Sequence, residues 1–141
     1  MSIFYDTHAH LDYPDYAKDL TEVIARAQAA GITRIISIGT DLESSARAIK
    51  LAERFACVFA AVGWHPSNAH EAPDDIREPL RELVKHPKVV AIGEIGLDYH
   101  HLPGKKSGST ADDDTRYKQR QAQIFQQQIE VAIEADRKSV V

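Results

Sequence analysis

The sequence is poor in cysteine and has no long apolar run. Cys57 is the single cysteine, which excludes disulfide bonds within the chain and any metal site built from several thiolates. The longest apolar stretch, residues 55–62, is far shorter than the roughly 18 residues of a membrane-spanning helix. The first residues lack the basic segment and apolar core of a secretory signal. These absences predict a cytoplasmic protein without a membrane partner.

The sequence also lacks an excess of positive charge. Its 17 lysines and arginines are outnumbered by 21 aspartates and glutamates, so the formal net charge is −4. A broad nucleic-acid-binding surface normally carries a clear basic excess, so any nucleic acid has to be held locally, for instance through a metal ion. With 141 residues, 43% of them hydrophobic, the chain has the size and composition of one globular domain.

Short β-branched segments alternate with longer amphipathic segments along the chain. Strands are predicted at residues 3–6, 35–38, 58–62 and 89–92, with the start of a fifth at 139–141. Strands that alternate with helices indicate βαβ units and a parallel sheet. The sequence therefore predicts an α/β fold of about four βα units plus the beginning of a fifth strand.

Polar residues and turn formers indicate where the helices begin and end. Asp15 is predicted to cap the first helix, and either Asp41 or Ser44 the second. The polar segment 101–110, which is rich in glycine and lysine, is predicted to be a mobile insertion loop. The buried face predicted for the fourth helix consists of Phe125, Ile129, Ala132 and Ile133.

The first predicted strand ends in Asp-Thr-His-Ala-His, residues 6–10. Alternate side chains of an extended chain share a face, so Asp6, His8 and His10 point the same way. The two histidines stand ~7 Å apart at the backbone, from which two imidazoles can converge on one ion, while Asp6 orients an imidazole from behind. Two exposed histidines beyond a strand are the alternative, because so short a motif often arises by chance.

Two further motifs directly follow predicted strands. Gly-Glu-Ile-Gly-Leu-Asp-Tyr, residues 93–99, places Glu94 at a strand end, where parallel α/β folds assemble their active sites. Asp98 either serves that site or caps a local turn. Gly-Trp-His-Pro, residues 63–66, places His65 either at the same site or in a proline-directed turn.

The three motifs, in this order at the ends of strands, resemble the TatD family of metal-dependent hydrolases. The resemblance runs along essentially the whole chain and implies a (β/α)₈ barrel of the TIM-barrel type. It implies that His8 and His10 bind one divalent ion and that Glu94 binds or bridges to a second. The positions that match the family near this centre, as substrate-binding or ligand-supporting residues, are Asp6, His65 and Asp98.

The same resemblance implies an activity and a cofactor. The family hydrolyses phosphodiester bonds of DNA with water activated by divalent metal ions, which are magnesium, manganese or zinc. Two ions held together neutralise the charge that develops on the attacking and leaving oxygens. They also explain how an acidic protein engages a polyanion.

The chain departs from this family in length. A (β/α)₈ barrel typically needs ~250 residues, so we expect residues 1–141 to be the N-terminal part of one barrel domain. The family's later histidines and the aspartate that acts as general base are absent, so no residue is assigned here as catalytic. We therefore expect the chain alone to be inactive or poorly active. We also expect the edge of the fourth strand, residues 89–92, to be unpaired and prone to association.

Two alternatives stay open at the level of sequence. One is another His-x-His metallohydrolase, either a phosphoesterase of the PHP type or an amidohydrolase, and the segment at residues 94–99 argues against both. The other is a non-catalytic fragment that binds a metal ion or a partner chain of unknown identity. Its support is the absence of the expected general base.

Overall fold

The computed structural model describes residues 3–103, 110–136 and 138–140, the last three as backbone only. Its strands and helices are β1 (Phe4–Ala9), α1 (Leu20–Ala29), β2 (Ile32–Ile38), α2 (Leu42–Arg54), β3 (Val58–Val62), α3 (Arg77–Val84), β4 (Val89–Gly93), α4 (Ala111–Glu134) and β5 (Lys138–Val140). The strands form one parallel sheet in the order β1-β2-β3-β4-β5. The predicted succession of four βα units and the start of a fifth strand is confirmed.

Helix α2 begins with a reciprocal pair of hydrogen bonds. The Ser44 amide donates to Oδ1 of Asp41 over 2.6 Å, and the Asp41 amide donates to Oγ of Ser44 over 2.9 Å. Both residues considered as caps therefore take part, in a capping box. The cap predicted at Asp15 is wrong, because Pro14–Tyr16 forms a separate 3-10 helix and α1 begins only at Leu20.

The core occupies both faces of the central strands. Between the sheet and the helices, the fully buried side chains include Val58, Val62, Leu80, Ile92 and Val131. The opposite face of the sheet carries a smaller buried cluster of Ile38, Ala61 and Ala91. Strands β2 to β4 are therefore apolar on both faces, as a sheet that curves around an inner core requires.

Strand β1 departs from this pattern. None of its residues is fully buried, and at its start Ile3 is 70%, Phe4 56% and Tyr5 66% exposed. Its pairing with β2 is also interrupted twice, whereas β2 and β3 pair without interruption. The sequence predicted the unpaired apolar edge at β4, and this is wrong because β5 pairs there, with Ile92 opposite Ser139.

Helix α4 turns to the core a face that overlaps the predicted one only in part, since Ala132 is buried as predicted. Ile133 is 75% exposed, and Phe125 and Ile129 are only half-buried. The buried residues are Gln121, Ile124, Gln127, Gln128, Val131 and Ala132. Glutamine takes these places because each buried amide forms hydrogen bonds with the main chain of a neighbouring loop. None of the helices within the described residues combines the length and apolar character that a bilayer crossing requires.

The predicted insertion at 101–110 falls mostly outside the described residues, because 104–109 are not described. The chain enters it through His101, Leu102 and Pro103 and leaves it at Thr110. The Thr110 amide donates to the carboxylate of Asp113 over 2.8 Å, which begins α4 with a second capping box. A mobile loop at 101–110 and the assignment of residues 1–141 to one barrel domain stay predictions.

Candidate metal centre

Side chains from the first and fourth strands meet at the carboxyl edge of the sheet. Nε2 of His8 lies 3.4 Å from Oε2 of Glu94, and Nε2 of His10 lies 3.9 Å from the same oxygen. In a flat sheet β1 and β4 would stand about 14 Å apart, since neighbouring strands are ~4.8 Å apart. The curvature of the sheet therefore brings these three side chains together.

The arrangement suits a divalent cation. Donor atoms bound at ~2.1 Å to one ion stand about 3.4 Å apart at a tetrahedral angle and at most ~4.2 Å apart. The two distances to Oε2 of Glu94 lie in this range, and one donor atom from each of His8, His10 and Glu94 lies within 4.8 Å of the others. Two imidazole nitrogens with a carboxylate oxygen suit zinc or manganese better than magnesium, which prefers oxygen ligands.

The ring of His10 is held from two sides. Its Nδ1 donates to the carbonyl oxygen of Ile38 over 3.1 Å, which leaves the Nε2 lone pair directed at the centre. Tyr13 stacks on the ring with centroids 5.0 Å apart. Oδ1 of Asp6, the residue suggested to orient an imidazole, accepts the main-chain amide of His8 over 3.1 Å.

His65 approaches the same carboxylate from the other side. Its Nε2 lies 3.4 Å from Oε1 of Glu94. Its Nδ1 accepts the amide of Ser67 over 3.2 Å and lies 2.6 Å from the Ser67 hydroxyl oxygen. Since Nδ1 is an acceptor, the ring proton of neutral His65 sits on Nε2 and faces Glu94. The two oxygens of Glu94 are thus divided between His65 and the His8–His10 pair.

Asp98 lies outside this group and organises the turn that follows. Its Oδ1 accepts the amide of His100, and its Oδ2 lies 2.8 Å from Nδ1 of His101. The hydrogen bond from His101, followed by that from the His100 amide, lowers the pKa of the Asp98 carboxyl. Of the two roles considered for Asp98, the structure shows the local turn.

These motifs and their geometry match known proteins along almost the whole chain. The family model described as TatD related DNase matches residues 5–141. The chain belongs to the TatD family. It is 39% identical over 134 residues to an uncharacterised metal-dependent hydrolase, YabD, of Bacillus subtilis, which covers 95% of this chain and 48% of that protein. It is 34% identical over 130 residues to the 3'-5' ssDNA/RNA exonuclease TatD of Citrobacter koseri, covering 92% and 45%.

A solved structure of the same family shares the fold. The TatD homologue YjjV of Escherichia coli superposes with a TM-score of 0.79 at 33% identity, covering 96% of this chain and 49% of that one. The TatD-family chain described here thus has the fold of an incomplete (β/α)₈ barrel and spans about half the length of the curated relatives it matches.

Beneath the centre of this TatD-family chain, main-chain groups of three strand ends interlock. The Glu94 amide donates to the carbonyl of Gly39 over 3.0 Å, and the His65 amide donates to that of Thr40 over 2.9 Å. Gly63 lies so close to β4 that a Cβ there would stand 2.9 Å from the Gly93 carbonyl carbon and oxygen. Glycine is required at this position because any side chain would separate the two strand ends.

Two residues that support these strand ends were missed by sequence reasoning. Ser45 and Gln128 are both buried and form hydrogen bonds with the residues that follow β3. Glycines after the strands were a usable signal for close approach. A glutamine in a helix gave none, because in a sequence it is typical of the solvent face.

A groove of about 1080 Å³ opens beside the centre. Ser67 lines it and also contacts His65, so the groove adjoins the centre. The Tyr117 hydroxyl donates to the carbonyl of Ser67 over 2.9 Å, and its ring lies 5.8 Å from that of His70. The other lining residues are Ala72, Asp74, His100, His101, Leu102, Pro103, Asp113, Arg116 and Arg120. The groove thus combines aromatic rings with guanidinium groups.

Proposed function

We propose that this TatD-family metal-dependent hydrolase cleaves phosphodiester bonds of single-stranded nucleic acid at the centre formed by His8, His10 and Glu94. The observation that carries the proposal is the convergence of two imidazoles on one carboxylate at distances that suit a shared cation. Relatives named 3'-5' ssDNA/RNA exonuclease support nucleic acid as the substrate.

We assign His8, His10 and Glu94 as metal ligands. When bound, divalent ions activate a water molecule and neutralise charge on the phosphate oxygens. The second oxygen of Glu94 lies 3.4 Å from Nε2 of His65, so a second ion would bind there only in place of this contact. Two ions, and their identity as magnesium, manganese or zinc, stay part of the proposal.

We assign supporting roles to the remaining predicted residues. Nε2 of His65 lies 3.4 Å from Oε1 of Glu94, and this contact helps to keep the carboxylate turned to the centre. Asp98 fixes the turn that leads from Glu94 into the groove. Asp6 holds the main chain at His8. None of the three is assigned as the general base.

The groove supplies a local binding surface for single-stranded nucleic acid. Such a local surface is needed because the chain as a whole, with a net charge of −4, does not attract a polyanion. Tyr117 and His70 present rings on which bases can stack. Arg116 is exposed and lines the same groove, where its guanidinium suits a phosphate. A nucleic-acid strand bound in the groove would run past Ser67, and its next phosphate would then lie toward the metal centre.

The test uses a 5'-labelled single-stranded oligodeoxynucleotide with the 141-residue chain. We expect binding by fluorescence anisotropy that requires Mn²⁺, and slow shortening that stops when the ion is chelated. Glu94→Gln removes both effects, whereas the control Glu22→Gln, at an exposed glutamate of α1, retains them. Binding and cleavage that are equal with Mn²⁺ and with chelator would refute the proposal.

Shortening of the oligonucleotide is expected to be slow, since the chain alone is predicted to be poorly active. Rapid turnover would contradict the predicted low activity and would leave the proposed nuclease function intact. Membership of the TatD family favours this assignment over the PHP and amidohydrolase alternatives. The non-catalytic alternative predicts Mn²⁺ binding without shortening. The cytoplasmic location stays a prediction from the single cysteine.

A further inference from the structure

Two buried side chains bind four successive main-chain groups where β3 ends. Oγ of Ser45 accepts the amide of Gly63 over 3.1 Å and donates to its carbonyl over 3.3 Å. Oε1 of Gln128 accepts the amide of Trp64 over 2.6 Å, and Nε2 donates to its carbonyl over 3.0 Å. Ser45 is 0% and Gln128 1% exposed, so no water replaces them easily.

These contacts fix the backbone just before His65. A buried amide or carbonyl that loses its partner costs most of its desolvation energy, so each of the four bonds selects one main-chain position. The next residue, His65, continues the series, because its amide donates a hydrogen bond to the carbonyl of Thr40. The position of its imidazole is therefore determined by helices α2 and α4 as well as by the sheet.

The same contacts reach Glu94 through Gly93. A Cβ on Gly63 would lie 2.9 Å from Oε1 of Gln128 and 2.9 Å from the carbonyl of Gly93. The Gln128 amide thus sits at the junction of the ends of β3 and β4. One residue beyond Gly93, the carboxylate of Glu94 lies 3.4 Å from the His65 ring.

We propose that Gln128 and Ser45 are positioning residues, which hold the main chain at the end of β3 so that His65 stays in contact with the Glu94 carboxylate beside the metal centre. The effect on metal binding rests on the function proposed above, whereas the effect on the backbone does not. Neither residue contacts the centre directly, and both act through the main chain of Gly63 and Trp64.

Helix α4 contains a matched control. Gln127 is 7% exposed, and its amide makes the same pair of bonds elsewhere: Oε1 accepts the amide of Ile76 over 2.9 Å and Nε2 donates to the carbonyl of Asp74 over 2.7 Å. Gln127→Met and Gln128→Met each remove two such bonds while keeping side-chain volume. Similar losses of thermal stability are therefore expected for both variants.

The first measurement is amide hydrogen exchange in the full chain, followed by NMR. In Gln128→Met we expect the His65 amide to exchange about tenfold faster than in Gln127→Met, because both bonds to the preceding residue are lost. We expect the Glu94 amide to follow, because Gly93 packs closely against Gly63. Ser45→Ala, which removes one hydroxyl, is the second variant should Gln128→Met fail to fold. Exchange at both amides that matches the Gln127→Met variant would overturn the inference.

The second measurement is the affinity for Mn²⁺ by calorimetry. Loss of a residue that orients metal ligands typically weakens binding by ~10–100-fold. We expect about tenfold weaker binding in Gln128→Met and less than about a twofold change in Gln127→Met. Equal weakening in both variants would overturn the inference. If exchange changes as expected but the unsubstituted chain binds no Mn²⁺, the positioning role stands and the proposed metal centre fails.

Discussion

Strand β1, which contains His8 and ends just before His10, and strand β4, which ends just before Glu94, are held differently in the molecule. No residue of β1 is fully buried, and its register with β2 is broken twice. In β4, four of five residues are buried, and the strand has a neighbour on each side. The candidate metal centre thus combines one well-supported ligand with two less supported ones.

This difference shows what the sheet alone provides. At the end of β4, the Glu94 amide donates to the Gly39 carbonyl and Gly93 packs closely against Gly63, so the Glu94 side chain has a defined origin. After β1, the hydrogen bond from His10 to the Ile38 carbonyl and the stacked ring of Tyr13 hold the His10 imidazole in place. We therefore expect His8 and His10 to lose their positions more readily than Glu94.

The largest expected difference is in stability. Ile92 in β4 is 0% exposed, whereas Phe4 in β1 is 56% exposed. Ile92→Ala creates a cavity and is expected to lower the free energy of unfolding by about 3 kcal/mol. Phe4→Ala is expected to cost less than ~1 kcal/mol. Urea denaturation measures both, and equal losses would show that β1 is packed as firmly as β4.

Substitutions on the two sides of the centre are also expected to weaken metal binding to different extents. Glu94→Gln removes the carboxylate that both histidines share, so we expect Mn²⁺ binding to weaken by about 100-fold, the upper end for disturbed metal sites. His8→Ala removes a side chain that is 45% exposed, and we expect about tenfold. Calorimetry with each variant decides, and the reverse order would contradict the comparison.

A smaller effect on stability is expected from breaking the ion pair that ties the loop after β1 to α2, called the tether below. The Asp12 side chain is only 3% exposed and pairs with Arg47 of α2 at 3.1 Å. Arg47→Met leaves that buried carboxylate without its partner and is expected to cost about 1–2 kcal/mol. Arg54→Met is the control, since Arg54 on the same helix donates to the Thr21 hydroxyl at an exposed position. Equal losses of thermal stability in both variants would refute the tether.

The smallest effect concerns pH. The pKa of Asp98 is lowered in the folded chain, first by the hydrogen bond from His101 and then by the His100 amide. The resulting stability is present above the usual aspartate pKa of ~3.9 and is lost as the pH falls through the lowered folded value. His101→Ala is expected to raise the Asp98 pKa toward its usual range, measured by NMR titration, with His70→Ala as the control. An unchanged Asp98 pKa would exclude this hydrogen bond as its cause.

The alternation of apolar segments was enough to predict the strands and helices, because burial on both faces of a parallel sheet leaves a clear pattern in residues 58–62 and 89–92. The face of α4 was not predictable from that pattern. Its buried glutamines pair with main-chain groups of loops distant in sequence, with Gln128 lying 64 residues from Trp64.

His8 and His10 could be proposed as ligands from their spacing at the end of a strand, whereas the ligand role of Glu94 was implied by the resemblance to the TatD family. The partners of the surrounding residues were not predictable. Asp6 binds a main-chain amide, a choice that depends on local geometry. The edge that stays exposed depends on which strands pair, so β1 could not be distinguished from β4 by composition.

A crystal structure of the 141-residue chain grown with Mn²⁺, read through anomalous scattering, tests the metal centre most directly. The account predicts a peak at about 2.1 Å from Nε2 of His8, from Nε2 of His10 and from Oε2 of Glu94. A peak at any other group of side chains, or a Glu94 carboxylate turned away from both imidazoles at saturating Mn²⁺, would contradict it.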